Sequence, residues 1–108
     1  MENVALVTGC SSGIGLETAV ALAREGHFTF ATMRNLKKVE ALEKIVKDEN
    51  LPISILELDV DNKESMDNAI EKIIEQKGRI DTLVNNAGWG MWGTVEDVSI
   101  DEFKEQFE

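Results

Sequence analysis

Residues 6–17, LVTGCSSGIGLE, place three glycines and two serines between an apolar run and a helical pattern. The apolar run, Val4 to Val7, is short and β-branched at both ends, which suits a buried strand. Apolar residues then recur at mostly helical spacing, at Ile14, Leu16, Ala19, Val20, Leu22 and Ala23. The sequence therefore predicts a glycine-rich turn that joins a strand to a helix.

Glycine in such a turn adopts backbone angles that other residues avoid, and it lets a ligand approach the main chain. The first turn of the following helix offers unpaired N–H groups and the positive end of the helix dipole, where a phosphate fits. The alternative is a tight turn that needs glycine for its geometry alone. The position between a strand and a helix favours the binding interpretation.

Composition limits the classes of function. The chain has 108 residues, which is enough for one domain at most, and 43% of them are hydrophobic. A net charge of −10 argues against nucleic acid or an anionic membrane surface as the partner. No apolar run reaches membrane-spanning length, so we expect a soluble, cytoplasmic protein. The single cysteine, Cys10, fits a reducing compartment and is interpreted as a passive small residue rather than a reactive thiol.

Strand and helix patterns alternate along the chain. Strands are predicted at 3–8, 27–33, 53–60 and 80–85. Helices are predicted at 13–25, from Asn35 onward, and from Asp61 or Asn62 to Gly78. The helices carry apolar stripes, at Leu36, Val39, Leu42, Ile45 and Val46 in the second and at Met66, Ala69, Ile70, Ile73 and Ile74 in the third. This alternation predicts a parallel sheet with right-handed crossovers.

A further helix is predicted to begin near the end of the sequence. Ser99 and Glu102 form a capping box, and Val98 and Phe103 stand at the flanking staple positions. The helical pattern then reaches Glu108 after a short apolar face. We therefore expect residues 1–108 to be the N-terminal part of one longer domain.

Three motifs resemble those of the short-chain dehydrogenase/reductase family. Thr8-Gly9-x-x-x-Gly13-Ile14-Gly15 looks like the family's glycine motif, LDV at 58–60 ends the third strand, and NNAG at 85–88 ends the fourth. TGCSSGIGL together with ATMRN is most similar to the hydroxysteroid and retinol dehydrogenase branch. The resemblance implies a Rossmann-type three-layer α/β fold, with a parallel sheet in the order 3-2-1-4 that is truncated before strand five.

The resemblance also implies cofactor-binding residues. By the family's pattern, the pyrophosphate and adenosine ribose lie among Gly9, Ser11, Ser12, Gly13, Ile14 and Gly15; the adenine contacts Asp59 and Val60; and Asn86, Ala87 and Gly88 line the adenosine ribose and nicotinamide side. All follow the carboxyl ends of strands, where open parallel sheets bind ligands. Two alternatives remain: Asp59 starts the turn into the third helix, and Asn85 and Asn86 tie strand four to its neighbours.

The second strand indicates which dinucleotide is bound. An NAD site usually has an acid near its end, and residues 28–35, FTFATMRN, contain none. Arg34 stands where a 2′-phosphate would lie, Lys37 and Lys38 follow, and Ser11 can add a hydroxyl. This pattern favours NADP(H) over NAD. The alternative is that these cations form an ordinary solvated face.

The family's catalytic residues cannot be assigned in this sequence. The family uses a Tyr-x-x-x-Lys pair, an upstream Ser and an Asn on the fourth helix, and the sequence has no tyrosine. We expect a parent enzyme that transfers hydride between nicotinamide and a carbonyl or secondary alcohol, with residues 1–108 inactive alone. The alternatives are a non-catalytic nucleotide-binding module and a structural fragment without a ligand. No metal-ligand spacing is present, and His27 is interpreted as structural.

Self-association is the last expectation from the sequence. Nothing was predicted to pair with the outer edge of strand four, at Leu83 and Val84. The short apolar face at Ile100, Phe103 and Phe107 also lacks a predicted partner. Burial of this surface in a second copy predicts a two-fold homodimer through the strand-four edge or the final helix.

Overall fold

The structure, a computed structural model, describes residues 3–11, 13–85 and 94–96. Its strands are β1 (Val4–Val7), β2 (Phe28–Met33), β3 (Ile53–Glu57), β4 (Thr82–Asn85) and β5 (Thr94–Glu96). Its α-helices are α1 (Gly13–Arg24), α2 (Glu40–Glu49) and α3 (Lys63–Gln76), and a 3₁₀ turn, Leu36–Lys38, precedes α2. None of the helices described is long and apolar enough to cross a membrane.

The strands form one sheet in the order β3-β2-β1-β4-β5. β1 lies in the middle and pairs in parallel with β2 and with β4, so that Leu6 is opposite Phe30 on one side and Leu83 on the other. β2 pairs in parallel with β3. The predicted parallel order 3-2-1-4 is confirmed, and it follows from helical crossovers between consecutive strands.

The short strand β5 was not predicted, and it corrects one expectation. It pairs antiparallel with β4, with Val84 opposite Val95. The prediction that β4 presents an unpaired edge is therefore wrong, because Thr94–Glu96 takes up the hydrogen-bonding positions on that side. Self-association through the strand-four edge loses its basis, and the final predicted helix lies outside the described residues.

Two apolar clusters cover the two faces of the sheet, as strand alternation requires. One contains Val4, Leu6, Phe30, Leu56, Leu58, Met66, Ala69, Ile70, Ile73, Ile80 and Leu83, and so joins α3 to the strands. The other contains Val7, Cys10, Ala19, Val20, Ala31, Met33, Leu42 and Val84, and so joins α1 and α2 to the opposite face. The result is the predicted three-layer α/β arrangement.

The largest departures from the predicted element boundaries are at the start of α2 and at the end of β3. Asn35 caps the 3₁₀ turn rather than a continuous helix, since its Oδ1 accepts the N–H of Lys37 at 2.9 Å. The α-helix starts at Glu40. β3 ends at Glu57 rather than at residue 60, because the chain turns toward α3 from Asp59 onward.

Three apolar residues of the predicted helical stripes are exposed. Ile14 is 59% exposed, Leu36 41% and Ile74 47%. Each lies in the first or last turn of its element. Periodicity alone therefore overestimated how far the apolar stripes extend.

A carboxylate holds the start of the central strand. The N–H of Val4 donates to Asp81 Oδ2 at 2.7 Å, and the N–H of Asp81 donates to Val4 O at 2.7 Å. Arg79 pairs with the same carboxylate. The Arg79 guanidinium, and to a lesser degree the Val4 N–H, lower the pKa of Asp81 below its ordinary value.

We predict that Asp81→Ala destabilises the fold by about 1–3 kcal/mol, because the buried N–H of Val4 loses its charged acceptor. Since the folded state lowers the pKa of Asp81, the stability that this carboxylate provides is present at neutral pH and lost as the pH falls below about 4. Urea titrations at pH 7 and pH 3 measure both effects. Equal stability of the parent and variant at pH 7 would contradict this role.

Cys10 is part of the core. It is fully buried, its Sγ donates to Val7 O at 3.2 Å, and its N–H donates to Thr32 O at 2.9 Å. Burial raises the pKa of the thiol to about 12. Because the thiolate is the nucleophile, these contacts favour the interpretation of Cys10 as a passive packing residue.

We predict that Cys10 resists an aromatic disulfide reagent at pH 8 in the folded protein. A thiol with this pKa is ionised to only about 1 part in 10,000 at that pH, and its sulfur has no access to solvent. Labelling is followed by absorbance, with and without about 6 M urea to unfold the protein. Unfolding should expose one reactive thiol. Rapid stoichiometric labelling without urea would show that the thiol is accessible and reactive.

Candidate nucleotide-binding site

A cavity of about 330 Å³ opens where three parallel strands end. Its lining comes from the segments that follow β1, β2 and β3, and consists of Gly9, Ser11, Met33, Arg34, Leu58, Asp59, Val60 and Asp61. Five residues that the sequence predicted as cofactor-binding are thereby brought together: Gly9, Ser11, Arg34, Asp59 and Val60. The cavity lies at the carboxyl ends of the strands, which is the ligand-binding edge of open α/β sheets.

Two glycines with positive φ shape the turn between β1 and α1. Gly9 has a φ of 69° and Gly13 a φ of 64°. A Cβ on Gly13 would meet nothing within 4 Å, so the backbone conformation, and not space, favours glycine at this position. Gly13 is also the first residue of α1. The turn therefore leads main-chain N–H groups into a helix start, the arrangement that suits an anion.

Buried threonines join the strand ends around this turn. Thr8 donates from its hydroxyl to Asn85 Oδ1 at 3.2 Å, and its N–H donates to Val84 O at 3.0 Å. Thr32 donates from its hydroxyl to Val7 O at 3.1 Å. Both threonines are fully buried. Asn85 thus ties β4 to β1, as one of the alternative interpretations predicted, and the cavity edge is built on a hydrogen-bonded frame.

Asp59 occupies the corner between β3 and α3. Its Oδ1 accepts the N–H of Asp61 at 3.0 Å, and its carbonyl accepts the N–H of Asn62 at 3.0 Å. Asn62 is the N-cap of α3, and its Oδ1 accepts the N–H of Ser65. Asp59 therefore does start the turn into the third helix, as the structural alternative predicted, and it lines the cavity at the same time.

The cavity contains charges of both signs. Arg34 follows the end of β2 and is exposed, while Asp59 and Asp61 contribute carboxylates from the segment that follows β3. A guanidinium offers paired donors to a phosphate, and a carboxylate accepts from an amino or hydroxyl group. The arrangement can therefore bind a ligand that has an anionic group at one end and a hydrogen-bond donor nearby.

Not every predicted residue lines this cavity. Gly13, Ile14 and Gly15 form the first turn of α1, where Ile14 is exposed and Gly15 is buried. Ser12, Asn86, Ala87 and Gly88 lie outside the described residues. Sequence reasoning did not assign Met33, Leu58 or Asp61 to the cofactor site, although their positions at strand ends were a usable signal. Among the residues described, no group of three or more His, Cys, Asp or Glu side chains forms a metal site.

Sequence comparison finds relatives that match nearly the whole length of this chain. The family model described as short chain dehydrogenase matches residues 3–108. The chain is 41% identical to an uncharacterized oxidoreductase, YusZ, of Bacillus subtilis, covering 99% of this chain and 38% of the relative. It is 44% identical to estradiol 17-beta-dehydrogenase 1 of Rattus norvegicus (88% and 29%) and 39% identical to retinol dehydrogenase 8 of Homo sapiens (95% and 33%). The chain thus spans about a third of the length of these relatives.

Structural comparison agrees. The fold superimposes on an actinorhodin polyketide ketoreductase variant solved with NADPH, with a TM-score of 0.75 and 34% identity over 82% of this chain and 34% of that one. The strand order, the glycine turn and the sequence matches lead to one assignment. The resemblance inferred from the motifs is confirmed, and the chain belongs to the short chain dehydrogenase family.

Proposed function

We propose that this chain is the NADP(H)-binding portion of an oxidoreductase. The observation that carries the proposal is the cavity at the strand ends, which joins Gly9, Ser11, Arg34, Asp59 and Val60. Its support from outside the chain is the NADPH-containing ketoreductase of similar fold. In the whole protein, the bound cofactor would exchange hydride with a carbonyl or a secondary alcohol.

In this proposal the cavity, and the start of α1 that follows the glycine turn, bind different parts of the dinucleotide. The N–H groups at the start of α1 face the pyrophosphate, since the helix dipole stabilises negative charge there. Asp59 accepts from the adenine amino group, and Val60 contacts the adenine ring. Ser12 is assigned to the pyrophosphate and adenosine ribose, and Asn86, Ala87 and Gly88 are assigned to the adenosine ribose and nicotinamide side.

The preference for NADP over NAD rests on the end of β2. Residues 28–35 contain no acid to accept from a ribose 2′-OH. Arg34 and Ser11 both line the cavity, so a guanidinium and a hydroxyl are available to a 2′-phosphate. Lys37 follows on the exposed surface of the 3₁₀ turn and adds positive charge. NAD would leave this cluster without an anionic partner.

The reaction itself is assigned to the whole protein. Residues 1–108 contain no tyrosine, so the family's Tyr-x-x-x-Lys pair cannot be assigned in them, and we propose that these residues alone bind cofactor without reducing a carbonyl. A cytoplasmic, reducing location is part of the proposal, because the single cysteine is a buried thiol.

We predict that the protein binds NADPH more tightly than NADH and that Arg34→Asp reverses this order. The substitution removes a charge-assisted pair and adds repulsion, which should lower the affinity for NADPH about 10- to 100-fold and leave that for NADH within about threefold. Isothermal titration calorimetry with both cofactors measures the four dissociation constants.

Lys47→Asp is the matched control, because it makes the same charge change on an exposed face of α2 away from the cavity. It should lower the affinity for NADPH less than threefold, since exposed charges beyond about 10 Å are screened. Equal affinities for the two cofactors, unchanged by Arg34→Asp, would contradict the NADP assignment.

A further inference from the structure

At the outer edge of β3, where the cavity begins, the backbone N–H of Asp59 needs a hydrogen-bond acceptor. The N–H of Leu58 donates to Met33 O at 2.9 Å, which extends the ladder between β3 and β2. Successive N–H groups of a strand point in opposite directions, so the N–H of Asp59 points away from β2. Within the described residues, β3 has no other strand as a partner. The N–H of Asp59 donates instead to Ser65 Oγ at 2.9 Å.

Three hydrogen bonds fix residue 59. Its N–H is held by Ser65 Oγ, its carbonyl by the N–H of Asn62, and its Oδ1 by the N–H of Asp61. Among residues 3–11 and 13–85, Oδ1 is the only oxygen of this carboxylate with a hydrogen bond, which leaves Oδ2 to accept from a ligand. The backbone and the side chain are therefore both set before a ligand arrives.

Ser65 is itself held in place by the helix cap. Its N–H donates to Asn62 Oδ1 at 3.0 Å, so it occupies the third position of α3. In a capping box, the residue at this position reaches back to the N–H of the N-cap. Here the short hydroxyl reaches further back, to Asp59. The hydrogen bond therefore joins the first turn of α3 to the wall of the cavity.

We infer that Ser65 is a positioning residue for the adenine end of the cofactor, because its hydroxyl oxygen holds the backbone of Asp59 so that the carboxylate lines the cavity. The inference rests on the proposed function, and within it on the hydrogen bond that the adenine amino group donates to the Asp59 carboxylate. Ser65 need not touch the cofactor. Its contribution is to remove conformations in which the Asp59 carboxylate turns out to solvent.

The experiment compares NADPH with its hypoxanthine analogue, in which a carbonyl oxygen replaces the adenine amino group. A correctly placed carboxylate accepts from the amino group and repels the carbonyl oxygen, so the parent should bind NADPH about tenfold more tightly than the analogue. The ratio of the two affinities measures this one contact. General destabilisation lowers both affinities alike and leaves the ratio unchanged.

The variants are chosen to isolate the hydroxyl. Ser65→Thr keeps the acceptor oxygen, and Ser65→Val has nearly the shape of threonine without that oxygen, so the two variants form a matched pair. This pair also serves as the test if Ser65→Ala fails to fold. We expect Thr to keep the tenfold ratio, and Ala and Val to reduce it to less than about threefold. Asp59→Asn should abolish it and serves as the reference for complete loss. Thermal melts in the absence of cofactor establish that each variant is folded.

Two outcomes would overturn the inference, and they are distinguishable. In the first, the parent prefers NADPH to the analogue tenfold, and Ser65→Val and Ser65→Ala both keep that preference. This result would show that Asp59 is positioned without Ser65, while the proposed function stands. A parent that binds NADPH and its analogue equally would remove the role of Asp59 and, with it, that of Ser65. Absence of NADPH binding altogether would contradict the proposed function itself.

Discussion

The parallel pairing of β1 between β2 and β4 is the constraint on which the rest of the structure depends. Because the three strands run in the same direction, their carboxyl ends meet at one edge of the sheet, and each continues into a turn there. The hydroxyls of Thr8 and Thr32 add cross-strand hydrogen bonds at that edge. At the opposite end, Asp81 holds the first N–H of β1. β1 is thereby fixed at both ends, and its position determines where Gly9 and Ser11 lie in the cavity wall.

The parts of the fold that could be predicted are those with a local cause. A strand, two glycines of positive φ and a helix are all specified within residues 4–24, so the turn after β1 was visible in the sequence. The capping side chains Asn35 and Asn62 were likewise predictable from their types. The parallel order followed from the alternation of strands and helices, since right-handed crossovers leave few topologies.

The parts that could not be predicted depend on distant contacts. Nothing in the pattern of Thr94–Glu96 indicates that it pairs with β4, because three residues give too short an alternation to recognise. The exposure of Ile14 and Ile74 depends on which other elements cover each helix end, and helical periodicity does not contain that information. Ser65 reads as an ordinary helix-start residue, and its contact with the N–H of Asp59 appears only once β3 is known to be an edge strand.

The proposed site would have to bind an anion within an acidic protein. The chain carries a net charge of −10, and Asp59 and Asp61 lie on the cavity wall, so the overall field opposes a phosphate. Attraction must come from short-range donors, which here are the N–H groups leading into α1 and the guanidinium of Arg34. Among the lining residues, the guanidinium donor follows β2 and the two carboxylate acceptors follow β3.

The most direct test of this account is to titrate the protein with adenosine 2′,5′-bisphosphate, which has the adenine and 2′-phosphate but no nicotinamide, and to follow backbone amides by NMR. The account predicts saturable shifts at Gly9, Ser11, Arg34, Asp59 and Val60, the residues that line the cavity. Amides near the groove formed by Ile70, Glu71 and Ile74 on α3 should not move. Saturable shifts at that groove without shifts at the cavity, or no shifts at either, would contradict the central claim.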